Sequence, residues 1–599
     1  MISAADPLLQ LLVSKGVLTA SEVNSLSVAP ANELRERLLV LLKEKGILSA
    51  ADLSVLNAKP AAISAGAVPA PIGGAALSSA TGTAIAAVDP DPQHTGPPQT
   101  PAAPSGGIIP AVAPIRVLNI DPPKREGVIP TIAIGKNIHL QPYGFFKASV
   151  VYDSSSPYGN DFPLPSFIGN NNFNGPDQMA EFHVRDRMLR LGSSFEWLDI
   201  SPNVIVTGKL EVDFEGNFTR ANNVNISSIR NNQPRIRLGY GRLDWKATEN
   251  TTVNFLAGQD WTLFASSTLP NLFETTGAGI GFGTLYTRQP QFRFGINHKF
   301  DKGFSLEPDV AVVLPAFGNL PAAVAVNANN GLNDQLGFGE RQGADSGKPE
   351  IQARLVAQFQ LDHAPGVAPA QIIVSGVRGE RDVVVLASAV PAAFTAAFPA
   401  GARISSTRYA WTGEIQLPTR YATLVAKFYS GSDLRYYFEG QVYGPFNDTT
   451  GLTGTATALS IDGATTTVFG LRGGVPVIAN SLPPRARGGF ANIGLPLSRW
   501  AHANPAGRNA GWVLNLHYGY DQVLARDVRR EGGGRMKGDL FAGTIQYKLN
   551  NFVTFIAEQS LYRTRAIPLT ATGLFPSFAG RPMREVTDRR TEIGPVFTF

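Results

Sequence analysis

The chain ends on Ile593-Gly594-Pro595-Val596-Phe597-Thr598-Phe599, with apolar residues at every second position and an aromatic as the last residue. Successive side chains of a strand point to opposite faces, so a period of two predicts a strand with one apolar face. A strand in that position needs a sheet to receive it. The remaining sequence therefore has to supply the sheet and a way of closing it.

It supplies one. Segments of strand character fall near 138–152, 181–198, 203–215, 234–246, 251–261, 289–300, 303–314, 350–361, 370–379, 407–417, 420–430, 485–495, 510–522, 537–549, 552–563 and 587–599, sixteen in all. Apolar and polar residues alternate along them. Gln291, Arg293, Gly295, Asn297 and Lys299 oppose Phe292, Phe294, Ile296 and Phe300. Lys209, Glu211 and Asp213 oppose Val206, Leu210, Val212 and Phe214, and Thr554 and Glu558 oppose Val553, Phe555, Ala557 and Leu561. The connections alternate too. Asp199-Ile200-Ser201-Pro202, Asp301-Lys302, Leu417-Pro418-Thr419 and Leu549-Asn550-Asn551 are tight, with 496–509 longer. Between them lie 153–180, 216–233, 262–288, 315–349, 380–406, 431–484, 523–536 and 564–586. Loop length segregated by side predicts an all-β, up-and-down antiparallel transmembrane barrel, short turns on one side and long loops on the other.

Composition agrees. The 599 residues include no cysteine, 61 Gly and 44 Pro, and 43% are hydrophobic. Mean hydropathy is −0.02, as expected where only alternate residues face lipid. No run of about 18 apolar residues exists, so a transmembrane helix is excluded. The net charge of +5 is nowhere concentrated as in a nucleic-acid arm. Charges face hydrocarbon only at high cost, so the polar faces predict a lumen. Trp197, Trp245, Trp261, Trp500 and Trp512 fall at strand ends, as interfacial girdles would place them, and Trp411 lies in the upper half of its strand.

Two regions precede the barrel at 137–599. Residues 1–56 hold a duplicated unit: Leu8-Leu9-Gln10-Leu11-Leu12 with Lys15-Gly16, then Leu38-Leu39-Val40-Leu41-Leu42 with Lys45-Gly46. Each reads as a short helix stopped by Gly, with a second helix capped by Thr19 or Ser49. A self-associating module or a periplasmic stalk both fit. Residues 57–136, rich in Ala, Pro and Gly, read as a tether spanning on the order of 50 Å. Met1-Ile2-Ser3-Ala4-Ala5-Asp6 lacks the basic start and apolar core of a secretory signal. The expectation is that the signal precedes this numbering.

The inward basic residues expected are Arg190, Lys209, Arg235, Arg237, Arg293, Arg354, Arg408 and Lys427, with Glu196, Glu211, Asp213, Glu414 and Glu558 as inward acids. Opposed charges create a transverse field, and an arginine excess favours anions by bidentate pairing. The same arginines could instead lock strands through lumenal ion pairs. Arg185, Arg187 and Arg242 break the alternation, which places them above the membrane or beside a bulge. The third long loop, 262–288, carries Glu274, Gly277, Gly279, Gly281 and Gly283 and ends on Arg288. It is read as a constriction folded into the lumen, or as a surface loop that covers the mouth or a subunit contact. The glycines do not have dinucleotide spacing, and HExxH, G-x-S-x-G and Walker A patterns are absent. His517 reads as a lumenal hydrogen-bonding residue. No cofactor, metal or nucleic acid is expected.

Pro234-Arg235-Ile236-Arg237-Leu238-Gly239-Tyr240-Gly241, Phe255-Leu256-Ala257-Gly258-Gln259-Asp260-Trp261, Leu269-Pro270 and Arg288-Gln289-Pro290-Gln291-Phe292-Arg293 follow one another in an order that resembles the DcaP-like outer-membrane porins. Gly511-Trp512, Tyr518-Gly519-Tyr520-Asp521 and Phe597-Thr598-Phe599 fit the same pattern. The last also resembles the terminal signal by which Gram-negative barrels are recognised for insertion, with Phe597 and Phe599 as its aromatics. Over 138–599 the resemblance implies a sixteen-stranded trimeric porin with a basic pore for organic anions, typically dicarboxylates. It implies anion binding by Arg235, Arg237, Arg288 and Arg293. It further implies an outer-membrane location with both termini periplasmic, contact with lipid and lipopolysaccharide, insertion by the barrel-assembly machinery, and a periplasmic or peptidoglycan contact through the first module. The duplicated Leu-rich unit, the long tether and the 431–484 loop depart from the pattern. Competing expectations are a plugged envelope anchor, a general or sugar porin without anion preference, and an outer-membrane hydrolase.

Overall fold

The computed structural model describes residues 108–599 except 119, 124–126, 156–179, 215–233, 274–281, 301–302, 316–343, 435–436, 438–445, 461–465, 531, 576, 579–580 and 583. The duplicated unit at 1–56, most of the tether, and Glu274, Gly277, Gly279 and Gly281 lie outside the described residues.

Sixteen long strands form one closed antiparallel barrel. They are β1 (Ile138–Asp153), β2 (Glu181–Ser201), β3 (Val204–Asp213), β4 (Arg235–Lys246), β5 (Thr251–Trp261), β6 (Arg288–Lys299), β7 (Ser305–Val313) and β8 (Glu350–Phe359). The second half comprises β9 (Ala370–Val385), β10 (Ala402–Pro418), β11 (Thr423–Ser432), β12 (Arg485–Leu495), β13 (Trp512–Val523), β14 (Gly534–Lys548), β15 (Val553–Ile567) and β16 (Glu585–Thr598). Each matches an expected strand. Several run further toward the long-loop side than the apolar alternation indicates, because Arg403, Ser405 and Thr407 continue the outer face of β10 as exposed polar residues. Backbone pairing continues past the point where the side chains stop being apolar.

Closure comes from the C-terminus. Phe597 pairs in register with Phe146 of β1. The Phe599 N–H donates to Gly144 O at 3.0 Å, and Gly144 N–H donates to Phe599 O at 2.8 Å. Phe597 stacks on Phe146 at 6.2 Å and tilts against Phe552 at 5.7 Å on the outer face. Closing the sheet removes its edges, so every strand has two partners.

The alternation sorts cleanly by face. Phe292, Phe294, Val310, Leu355, Ile372, Leu516, Phe541 and Ile593 are exposed on the outside, whereas Gln291, Arg293, Glu307, Gln352, Glu414 and Asn515 are buried inside. Apolar outside and polar inside inverts the usual globular arrangement and suits a hydrocarbon solvent. Trp245, Trp411, Trp500 and Trp512 are exposed. Trp261 departs from the girdle expected of it: it is buried and edges Tyr286 at 4.8 Å. The cause is local, since the chain turns into the lumen directly after it.

Part of the expected tether is built into the barrel. Ile132–Ile134 pairs with Ile138–Leu140 as a hairpin. Ile115–Arg116 pairs with Thr268–Leu269 inside the wall. Thr423 donates to Val112 O, Arg499 to Ile109 O at 3.2 Å, and Arg242 to Ile120 O at 3.1 Å. Arg116 donates to Gln416 Oε1 at 2.5 Å and to Pro369 O. Apolar periodicity could not reveal this segment because donors from the wall satisfy its carbonyls one by one. On the long-loop side, Thr453–Leu459, Thr466–Arg472 and Val475–Ile478 form a small sheet. Phe469 of that sheet packs on Phe394 and Phe398.

Candidate functional site

The lumen is crossed by the connection between β5 and β6. Its outgoing limb, residues 262–273, touches strand after strand. Phe264 N–H donates to Gln352 Oε1 at 2.7 Å and Ala265 N–H to Ser375 Oγ at 3.1 Å. Gln416 donates to Thr268 Oγ1 at 2.7 Å and Gln546 to Asn271 Oδ1 at 3.2 Å. At the far wall Phe273 N–H donates to Glu558 Oε2 at 2.7 Å, and Lys147 donates to Phe273 O at 3.0 Å. The returning limb passes Gly519, where an added Cβ would meet Phe282 O at 1.9 Å, and Gly489, whose O lies 2.1 Å from a Cβ built on Gly283. Lys427 donates to Ala265 O and to Leu285 O at 3.3 Å, tying both limbs to β11. Gly283, at φ +89, lies against Gly489 O, so its backbone reaches the wall where a side chain would collide. The described residues of the loop therefore cross the lumen, held by side-chain donors and acceptors that face inward because the strand period puts them there.

Lumenal side chains along β8–β13 are covered by this loop and, at Gln352 and Arg408, by Tyr437. Glu350, Gln352, Arg408, Thr412, Glu414, Gln416, Lys427, Asn492 and His517 are all buried. Inward residues of β1–β4 keep contact with solvent: Tyr143, Phe145, Arg190, Lys209, Arg235 and Tyr240 are part-exposed.

Two features of the backbone shape this open sector. Between β3 and β4 the register shifts at Glu211/Val212, and Leu238 and Ile236 take the paired positions. Arg237 is thus the extra residue of a β-bulge, and a bulge re-aims a side chain. That shift explains why Arg235 and Arg237 share a face with Tyr240, Arg242 and Asp244, and why Arg242 broke the expected alternation. Next to it the β4–β5 ladder stops at Gly239 and Gln259. Gln259 Nε2 donates to Ile236 O at 3.0 Å and Arg237 O at 3.1 Å, covering the carbonyls released by the split. Arg185 has the same kind of origin, a register shift at Lys147/Ser149, and it pairs with Glu592 at 3.2 Å. The side chain of Arg187 lies outside the described set.

Five cations surround two carboxylates here. Arg237 pairs with Glu211 at 2.7 Å and Asp213 at 2.9 Å. Arg235 pairs with Asp213 at 2.8 Å, and Arg190 with Glu211 at 3.6 Å. Tyr143 donates to Glu211 Oε2 at 3.0 Å. Lys209 lies 5.2 Å over the Tyr143 ring and Arg190 4.8 Å over Phe145. Arg288 differs from the rest. It stands 5.1 Å over the Trp261 ring, and among the described residues its Nη1 is buried with no hydrogen-bond partner. Arg235 and Arg237 lie close enough to act on its charge. The arrangement is an excess of guanidinium at an aromatic wall, with its acids already engaged.

Arg293 and Arg354 belong to a different cluster. Arg293 donates to Trp261 O at 2.6 Å and Gln291 Oε1 at 3.0 Å, and pairs with Asp260 at 3.2 Å. Arg354 pairs with Glu307 at 3.0 Å and Asp309 at 2.5 Å. Both are buried, and both brace the root of the loop. Arg408 pairs with Glu350 at 2.6 Å. Sequence reasoning missed Trp261 and Tyr143 as lumenal partners of cations. The available signal was the lumenal parity of Tyr143 and the register of Trp261 with Arg288.

No protein-family model matches this sequence, and no curated protein does. Among solved structures the chain is similar to the outer membrane channel DcaP of Acinetobacter baumannii, at 13% identity and a TM-score of 0.45, over 79% of this chain and 100% of that one. It is similar to an anion-selective porin from Comamonas acidovorans at 11% identity and a TM-score of 0.39, over 77% and 100%. It is also similar to Salmonella typhi OmpF, at 9% identity and a TM-score of 0.37, over 78% and 100%. Likeness this low carries no function across.

Proposed function

We propose that this chain is an outer-membrane channel for passive diffusion of small anionic solutes, dicarboxylates among them. Both termini would be periplasmic, and 262–287 would enter from outside. The observation that carries the reading is Arg288: a guanidinium held on Trp261 beside Arg235 and Arg237, with no carboxylate partner among the described residues. A passing carboxylate would supply the acceptor that the protein withholds, and Arg235 and Arg190 would hand it along the part-exposed wall of β2–β4. Transport on this reading needs no chemistry, cofactor or energy input. We further propose a homotrimer in lipopolysaccharide-containing membrane, inserted by the barrel-assembly machinery through Phe597 and Phe599. Liposome uptake of a dicarboxylate, a neutral sugar and phosphate tests the substrate class. Dicarboxylate entering several-fold faster than sugar supports it, and equal rates point to a general or sugar porin.

The segment 108–121 favours a second reading, in which the N-terminal part governs an otherwise plugged barrel and the 1–56 module anchors it to the envelope. Its seat is Arg116 on Gln416 and Pro369, with Arg499 on Ile109. Replacing Arg116 and Arg499 by Ala in the full chain should raise the open fraction in a planar bilayer if the segment closes the mouth. An unchanged open fraction removes that reading.

A further inference from the structure

The outer wall of β13–β16 carries a feature that the lumen does not use. Its outward residues stack in rungs set by the register. From the short side these are Trp512–Tyr547–Phe555–Pro595, Leu514–Ile545–Ala557–Ile593, Leu516–Gly543–Gln559–Thr591 and Tyr518–Phe541–Leu561–Arg589. Two rungs then turn polar, Tyr520–Asp539–Arg563–Thr587 and Gln522–Lys537–Arg565–Glu585. Eight residues separate Trp512 from Tyr520, about 27 Å along the strand at about 3.4 Å per residue. With strands tilted about 40°, that is about 20 Å along the barrel axis, close to the height of an apolar band. The polar rungs therefore sit at the membrane boundary on the long-loop side.

Just inside that boundary the wall is grooved. A cavity of ≈ 460 Å³ is lined by Leu516, Phe541, Gly543, Gln559, Leu561 and Arg589, among others. Gly543 makes the room: a Cβ there would find only Leu516, at 3.8 Å. Thr591 donates to Gln559 Oε1 at 2.7 Å, so the polar groups on the groove's floor satisfy each other. Above it Arg563 lies 4.8 Å over the Phe541 ring and Lys537 4.6 Å over Tyr520. Asp539 is fully enclosed by Arg563 at 2.6 Å, Lys537 at 3.5 Å and Arg565 at 3.7 Å, and Glu585 is bound by Arg565 at 2.8 Å. Arg589 is exposed and its guanidinium has no carboxylate partner among the described residues. Four cations thus meet two carboxylates, both already engaged, directly over an apolar groove.

We propose that this groove binds lipid A, the phosphorylated and multiply acylated anchor of lipopolysaccharide. One acyl chain would lie over Gly543 between Phe541 and Leu561. A sugar phosphate would sit between Arg589 and Arg563, with Arg565 and Lys537 within reach of a second. A phospholipid offers one phosphate to the same cluster, so charge complementarity favours the diphosphorylated ligand. The inference needs the barrel to stand in an outer membrane with its long loops outside. It does not need the lumen to conduct anions, so the two readings fail separately.

The test uses the full-length protein, stripped of lipid in detergent and checked for folding by heat-modifiable gel mobility. It is incubated with hexa-acylated diphosphoryl lipid A or with phosphatidylglycerol, and retained lipid is counted by native mass spectrometry. The expected result is at least tenfold preference for lipid A. Arg589→Gln should lower retention several-fold, Arg563→Gln combined with it more than tenfold, and Gly543→Phe by filling the groove. Arg589→Gln removes no internal ion pair, so it remains informative if the double variant folds poorly. Retention unchanged in Arg589→Gln and Gly543→Phe, or phosphatidylglycerol bound as well as lipid A, would overturn the proposal.

Discussion

Arg288 and Trp261 are register partners across β5 and β6, and the guanidinium lies 5.1 Å over the indole ring. The pair stands where the 262–287 connection leaves the wall and returns to it. A cation on an aromatic face gains about 0.5–2 kcal/mol there, enough to keep the side chain in place without a carboxylate that would cancel its charge. The neighbouring arginines Arg235 and Arg237 are held differently, by Asp213 and Glu211.

Asp213 accepts from Arg235 at 2.8 and 3.0 Å and from Arg237 at 2.9 Å. Asp213→Asn should release part of that positive charge into the lumen and raise the anion-to-cation permeability ratio several-fold. The buried guanidinium of Arg237 loses an acceptor, so stability should fall by about 1–3 kcal/mol. Reversal potentials and urea unfolding measure the two effects separately.

Arg354 should behave in the opposite way. Its partners Glu307 and Asp309 are 2% and 1% exposed. Arg354→Leu strands both acids and should cost about 3–5 kcal/mol, with ion selectivity unchanged in the protein that does fold. A large shift in selectivity without loss of stability would place Arg354 at the pore instead.

These contrasts mark where the sequence was readable. The strands, their number and the sides of their connections follow from a period of two and from loop length, which are local. That Arg235, Arg237 and Arg190 share a lumenal sector also followed from parity. The role of Arg237 did not, because it depends on a one-residue bulge that only pairing with β3 reveals. Arg293 carries the same parity as a pore residue, yet Asp260 and the Trp261 carbonyl engage it. Those partners come from the turn after β5, whose inward path rests on Gly258 and Gly283 at positive φ. The segment 108–121 was illegible for a further reason: its contacts are made by Arg116, Thr423, Arg499 and Arg242, which are far apart in sequence.

Phe273, the last described residue of the outgoing limb, is held from β1. Lys147 donates to Phe273 O at 3.0 Å and sits 3.9 Å over the Phe273 ring, while Glu592 at 3.4 Å holds Lys147. Lys147→Met should loosen the limb at Phe273 and raise mean single-channel conductance, and Arg185 would still hold Glu592. An unchanged conductance would mean that the loop's hold on Glu558 alone sets the aperture.

The short side offers a pH prediction. Asp362 accepts from the Arg420 guanidinium at 2.7, 3.0 and 3.2 Å and from the Arg420 and Ala364 amides at 2.8 and 2.9 Å. Those hydrogen bonds, Arg420 first, hold its carboxyl well below the usual carboxylate range. A depressed carboxyl contributes stability that is fully present above its unfolded value, about pH 4, and is lost as pH falls through the folded one. Asp362→Asn should therefore lower the urea midpoint near neutral pH, and the gap to the parent should close in strong acid. A gap that persists in strong acid would assign the effect to packing of the turn.

The most direct test of the account is the reversal potential of the parent and of Arg288→Ala in a planar bilayer under a potassium chloride gradient. The expected result is an anion-selective parent and a several-fold smaller anion preference in a variant that still folds, since Arg288 has no ion pair among the described residues and loses only its contact with Trp261. A cation-selective parent, or a variant with the parent's selectivity, would contradict it.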